Sequence, residues 1–321
     1  MLGALLALLA AATFGFNDAT VRRGVVTGSV VQGLAVTVPI GVPLFFLAAV
    51  VSGQLFDVGA LTGPSALMLA GAGVAHFVWG RYCNYRAVKA MGGNRAGPVQ
   101  QTSLLISLVL AVALLDESVG WIRLVGILLI VAGPTIMVER QRASTPKAEA
   151  TVIPGIAGGA NGGESAVAAK PAFTPRLAEG YTFALLSALG YGVSPVLIRA
   201  GIEESGLSLL GGLISYGAAT VVVLVVILAS ASLRNSVANM ERSNLRWFTI
   251  SGVAVFLAQM FRYMGLAIAP VSVVASIMRL GLVFRVIFGY FINREYESFA
   301  PRVLVGIVVS ILGGVALTIS L

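Results

Sequence analysis

Four arginines lie inside runs of sequence that are otherwise apolar: Arg81, Arg262, Arg279 and Arg285. An arginine facing lipid costs about 2.5–3.5 kcal/mol on insertion scales, so each should face a cavity, a partner or the membrane surface. Arg279 stands nearest the middle of its run, about 3 Å from the centre by helix rise. Its planar fork suits a carboxylate or a phosphate. It is therefore a candidate anion-binding group, with a structural ion pair or a carbonyl cap as the alternative. Arg262 and Arg285 lie roughly 6–8 Å from their centres and are long enough to snorkel to the interface. Gln259 precedes Arg262 by three residues and Tyr263 by four, which puts all three on one helix face. Arg81-Tyr82 repeats the pair Arg262-Tyr263 at an offset of 181 residues. The two pairs are expected to line one substrate site from opposite sides.

His76 is the only histidine. It titrates near neutral pH and could carry a coupling proton; a neutral histidine bonded between helices is the plainer reading. Asp18 could bind a proton or a cation, but Arg22 lies four residues on, where a helical ion pair would form. Asn17 beside it adds a polar group to the same site. Glu117 and Glu297 end their apolar runs and are read as solvated helix-end carboxylates, with a gate as the alternative. No metal is expected, since one histidine without nearby carboxylates or cysteines makes a poor ligand set. Cys83, the sole cysteine, excludes an internal disulfide.

The elements that must position these residues are membrane helices. The chain of 321 residues is 58% hydrophobic and 11% charged, against about 25% charge in soluble domains. Its net charge of +8 comes from residues scattered between apolar runs, so nucleic acid is not an expected partner. A span needs about 20 apolar residues. Ten candidates follow, at roughly 2–20, 30–51, 65–89, 96–115, 120–138, 178–199, 208–231, 246–268, 270–292 and 301–320. Met1 to Leu9 lacks a basic start and is read as the opening of the first span, not as a signal peptide. The stretch 139–177, with its prolines and the run from Gly158 to Gly163, reads as a flexible polar linker. Of the 21 lysines and arginines, 15 fall in the odd connections and two, Arg123 and Arg199, in the even ones. That bias predicts a multi-pass protein of the cell membrane with a cytoplasmic linker and both termini outside.

Glu117, Gly126 and Gly133 recur 180 residues later as Glu297, Gly306 and Gly313. With five spans per half, the copies would lie upside down relative to one another, an arrangement found in secondary transporters. The expected fold is thus all-α, ten transmembrane helices in two inverted five-helix repeats, 1–138 and 178–321, joined by 139–177. The glycines seven apart would let spans five and ten pack closely, within the bundle or in a homodimer.

The stretch from Tyr85 through Met91-Gly92-Gly93-Asn94-Arg95-Ala96-Gly97-Pro98, then Asp116-Glu117 and Trp121-Ile122-Arg123-Leu124-Val125-Gly126, resembles the EamA domain of the drug/metabolite transporters. Asn293-Arg294-Glu295-Tyr296-Glu297 with Pro301-Arg302-Val303-Leu304-Val305-Gly306 repeats it. Phe14-Gly15-Phe16-Asn17 and Leu189-Gly190-Tyr191-Gly192 fit the first helix of each copy. The resemblance implies a ten-helix carrier whose first four helices in each repeat enclose a cavity. Leu104 and Phe284 stand where the family often has proline. The linker is longer than usual, and many members have cytoplasmic termini, opposite to the charge count here.

Three functions compete. A secondary transporter for a small metabolite, anionic or zwitterionic, fits the repeat and the arginines. An intramembrane enzyme would need a nucleophile–base pair or a metal motif, and the chain has no His-Glu-x-x-His or Gly-x-Ser-x-Gly. It is therefore not expected to be an enzyme or to need a cofactor. A non-transporting receptor or scaffold would have a dry, packed centre.

Overall fold

In the computed structural model every regular element among the described residues is a helix. The description covers residues 1–103, 105–106, 109–110, 121–122, 125–126, 128–129, 132–133, 136, 174–270, 273–274 and 277–319. Residues 111–120, with Glu117 among them, and 137–173, which include most of the linker, lie outside it.

Helix α1 runs Leu2–Thr27. Ser29 then caps α2, Val30–Thr37, in a reciprocal box with Gln32. Pro39, which offers no N–H, separates α2 from α3, Gly41–Val51. The two still cross as one apolar stretch of 22 residues, Val30–Val51. Thr62 caps α4, Gly63–Gly73. This helix continues through a π-helical segment, Val74–Gly80, into α5, Arg81–Met91. A wide π turn re-aims the side chains that follow it, and such turns recur at functional sites. Here it carries His76 and delivers Arg81. Gly92 has φ 91°, a conformation for which only glycine is unstrained, and it turns the chain directly into α6, Gly93–Gln100.

After the linker come α7, Leu177–Ile202, and α8, Ser208–Ala229. The short α9, Ala231–Ala238, buries none of its residues. Then follow α10, Arg242–Ile268, α11, Gly281–Asn293, and α12, Pro301–Ile319. A 3-10 turn, Met278–Leu280, precedes α11, where the sequence suggested one unbroken span over 270–292.

Among the described residues, five helices are long and apolar enough to cross a membrane. Their mean hydropathy separates two groups. Val30–Val51 and α8 reach 2.4, whereas α1, α7 and α10 stay between 1.4 and 1.5. The lower values belong to helices that turn polar residues inward. The first group faces outward through Leu47, Val221, Val225 and Leu228, as lipid contact demands.

The two halves of the chain do not form separate bodies. Helix α1 lies along α10 and α11, α5 along α7, α4 along α7 and α8, and α3 along α8. The main interfaces are therefore between halves. Small residues make the approach possible. A Cβ at Gly73 would strike the Ser215 carbonyl of α8, while Ser215 Oγ donates to Leu69 O at 2.6 Å. Gly133 lies against the Gly306 carbonyl and Ser310, so these two glycines meet inside one chain. Replacing Gly73 with valine should force α4 from α8 and lower stability by about 1–3 kcal/mol, the usual range for overpacking. The check is thermal melting in detergent; an unchanged melting temperature would mean that the two backbones do not touch there.

Candidate functional site

A cavity of about 160 Å³ opens among α1, the π-helical segment, α5, α6, α7, α10 and α11. Three polar clusters line it, and each is organised around an arginine.

The first cluster spans the halves. Arg262 Nη1 donates to Gln259 Oε1 at 2.9 Å, three residues back on the same face. The Gln259 amide nitrogen lies 2.8 Å from His76 Nε2. Arg262 Nη1 also lies 3.4 Å from His76 Nδ1, so the imidazole sits between the amide and the guanidinium. Arg262 Nη2 donates to Ser194 Oγ at 3.3 Å, and the Tyr191 ring lies 4.6 Å from the imidazole. His76 thus contacts Gln259 and Arg262 of α10, a helix of the other half.

The second cluster centres on Arg81. Nη1 donates to Thr37 O at 3.1 Å and Nη2 to Tyr216 OH at 3.1 Å. The guanidinium also sits 4.9 Å from the Phe77 ring centroid. Neither Arg81 nor Arg262 has a carboxylate partner among the described residues. Both are buried, at 3% exposure, so Arg262 does not snorkel.

The third cluster holds the one acidic side chain among those that line the cavity, Asp18. Arg285 Nε donates to Asp18 Oδ2 at 2.9 Å, and Nη2 contacts the same oxygen. Arg285 Nη1 donates to Gly93 O at 3.0 Å, and Gln100 Nε2 donates to Asn84 Oδ1. Arg285, 8% exposed, is therefore an inward strut and does not reach for the interface. Asn17 lines the cavity and accepts from Ser251 Oγ at 2.7 Å.

Two sequence expectations are corrected by these pairings. Asp18 does not pair with Arg22 four residues on, because α1 turns them to different partners. Asp18 goes to Arg285, and Arg22 goes to Glu297, with Nε 3.6 Å from its Oε1. Nor is Glu297 a solvated helix end, since its side chain is only 4% exposed. It accepts from the backbone N–H groups of Gly93 at 2.7 Å and Asn94 at 2.9 Å.

The symmetric pairs are met by their arginines alone. Tyr82 does not line the cavity; its hydroxyl accepts from Arg86 Nη1 at 3.2 Å. Tyr263 is fully buried in an apolar cluster with Leu69 and Ile198. The side chain of Arg279 lies outside the described residues. Sequence reading missed Asn84, Gln100, Tyr85 and Tyr191. Asn84 was accessible in principle, since it follows Arg81 by three residues and so shares its face. The described residues hold no group of three or more His, Cys, Asp or Glu that could bind a metal.

Helices long and apolar enough to cross a bilayer, packed around a buried, arginine-rich cavity, define a polytopic membrane protein. Residues 1–138 match the model of the EamA-like transporter family. Membrane transport is the activity that the matched family implies. No curated protein matches the chain. A solved structure titled only "Crystal structure of protein" shares the fold at TM-score 0.66 and 15% identity, covering 99% of this chain and 97% of its own.

Changing Asp18 to Asn should strand the Arg285 charge. Removing one partner of a buried pair costs roughly 3–5 kcal/mol. The double change Asp18→Asn with Arg285→Met should recover most of that loss. Melting of the three proteins in detergent reads the difference; a double variant no more stable than Asp18→Asn would mean that the pair is not the source of the cost.

Proposed function

We propose that the protein is a secondary carrier that moves a small organic anion by alternating access. In this reading the chain forms ten transmembrane helices in two inverted repeats, 1–138 and 178–321. Its linker lies in the cytoplasm, and the cavity between the halves is the substrate site. The observation that carries the reading is the state of the cavity's charges. Arg81 and Arg262 face it with no described carboxylate partner, whereas Asp18 is engaged by Arg285. A buried cation without a counter-ion is costly, and an anionic solute would relieve that cost. Arg262 and Arg81 are the proposed anion contacts, with Gln259 and His76 holding Arg262 in place. Asn17 and Asn84 offer neutral polar contacts. Arg279 is proposed on sequence grounds as a further contact, and Asp18 as the group that titrates if transport is proton-coupled.

A zwitterion is less well matched, because its ammonium would have to compete with Arg285 for Asp18. A scaffold without transport would not need a polar cavity at its centre, and here that cavity holds three arginines.

Purified protein should melt several degrees higher with one or more of benzoate, succinate, citrate or glycerol phosphate, since a ligand that binds only the folded state stabilises it. Hydrogen bonds to charged groups contribute about 1.5–3 kcal/mol, so Arg262→Gln or Arg81→Gln should weaken that binding roughly 10–100-fold. Uptake of the stabilising anion into liposomes should fall in parallel. Stabilisation by organic cations in place of anions would overturn the assignment.

A further inference from the structure

Beyond Gly97 and Arg285 of the cavity wall, a second set of polar contacts joins the two halves of the chain. We infer that Glu297 is a gate latch, its carboxylate seated on the N-terminus of α6 to hold that end of the cavity closed. The chain segment between α11 and α12 comes from the second half, and the α5–α6 turn comes from the first. Glu297 bridges them by accepting the N–H groups of Gly93 and Asn94. Those donors have no partner within the helix, and the helix dipole favours a negative charge there. Bonds from N–H to a carboxylate are about twice as strong as neutral ones. Asn94 Nδ2 adds a tie to Ser298 O at 3.1 Å.

Arg22 of α1 closes the clamp from a third side. It donates to Val88 O at 2.6 Å and to Tyr296 O at 2.8 Å, so it grips both chain segments as well as Glu297. Asn293 Nδ2 reaches Ala19 O at 2.6 Å. The glycine pair is what lets the carboxylate in: Gly92 supplies the positive φ, and a Cβ on Gly93 would come within 3.0 Å of Glu297 Oε1.

The latch also touches the cavity. Arg285 bonds Asp18 inside the cavity and the carbonyl of Gly93 at the latch. Gly93 is thus held by its N–H from the loop side and by its C=O from the cavity side. A carrier must open and close each end in turn, and a contact built of a few charge-assisted bonds between halves can break and re-form as one unit. The inference rests on the carrier reading only for what the gate serves.

The test measures access to the cavity and needs no cargo. Ser103 lines the cavity and is 4% exposed. Ser103→Cys, in a Cys83→Ser background, is labelled with an impermeant sulfonated maleimide from each side of the membrane, in intact cells and in inverted vesicles. Glu295→Cys, in the exposed segment beside the latch, reports which side is the latch side. With Glu297 present, the cavity thiol of Ser103→Cys should be labelled from that side far more slowly than the surface thiol of Glu295→Cys. Glu297→Gln puts an amide N–H against a backbone donor and breaks one of the two bonds, so labelling of the cavity thiol from the latch side should rise tenfold or more. Glu203→Gln, at an exposed pair with Arg199, should change nothing. If Glu297→Gln does not insert, Asn94→Ala removes only the neighbouring tie and is read in the same way. The latch is overturned if neither change raises labelling, or if the cavity thiol already reacts from that side as fast as the surface thiol. An opening latch in a protein that moves no anion would overturn the carrier reading and leave the latch standing.

Discussion

The structure depends on one constraint: a guanidinium cannot be left in hydrocarbon without partners. Arg81, Arg262 and Arg285 all lie in helices of the apolar bundle, and each is 8% exposed or less. A pair or a set of acceptors must therefore be built around each one, and those acceptors come from several helices. Arg81 takes Thr37 and Tyr216, Arg262 takes Gln259 and Ser194, and Arg285 takes Asp18 and Gly93. Every one of these sets crosses between elements, and most cross between halves. The polar centre therefore does more than wait for a ligand, since it fixes which helices can be neighbours. Hydrophobic burial alone cannot do this in a bilayer, where lipid tails are as apolar as leucine.

The same need explains the interleaving of the halves. A first-half arginine, Arg81, finds its hydroxyl on α8, and a second-half arginine, Arg285, finds its carboxylate on α1. Close approach of the backbones follows, and glycine permits it where α4 meets α8 at Gly73 and Ser215. An arrangement with each half packed on itself would leave these side chains facing lipid, at a cost no loop could offset.

Much of the fold was legible because the bilayer makes it so. Run length and hydropathy located Val30–Val51, α7, α8 and α10 within about four residues, while α1 runs seven residues past its expected end, to Thr27. Three of the four in-span arginines, Arg81, Arg262 and Arg285, line the cavity. What the sequence did not reveal was pairing. Asp18 and Arg22, four apart, looked like a local ion pair, since spacing along a helix is visible in sequence and contact between helices is not. Both were claimed by partners more than 260 residues away. Tyr82 and Tyr263 misled for a related reason. Adjacent positions on a helix are about 100° apart, so a tyrosine next to a cavity arginine points elsewhere. The π-helical segment had no signature in the sequence, yet it sets the rotation that brings His76 to Gln259.

Glu297 shows how a site can hide in a motif that looks structural. Met91-Gly92-Gly93-Asn94 reads as a helix break, and Glu295-Tyr296-Glu297 as a charged loop. Apart, each has an ordinary explanation: a glycine turn, and a solvated carboxylate. Together they form a helix N-terminus and the anion that satisfies it, delivered from opposite halves of the chain. The burial of Glu297 is what rules out the ordinary explanation, because a carboxylate 4% exposed needs full compensation. Two backbone donors and Arg22 supply it. That compensation exists only while the two segments touch, so separating them must move the Glu297 charge into water at the same moment that water gains a path to the cavity. Opening the end and hydrating the latch are thus one event, and the free energy of one cannot be changed without the other.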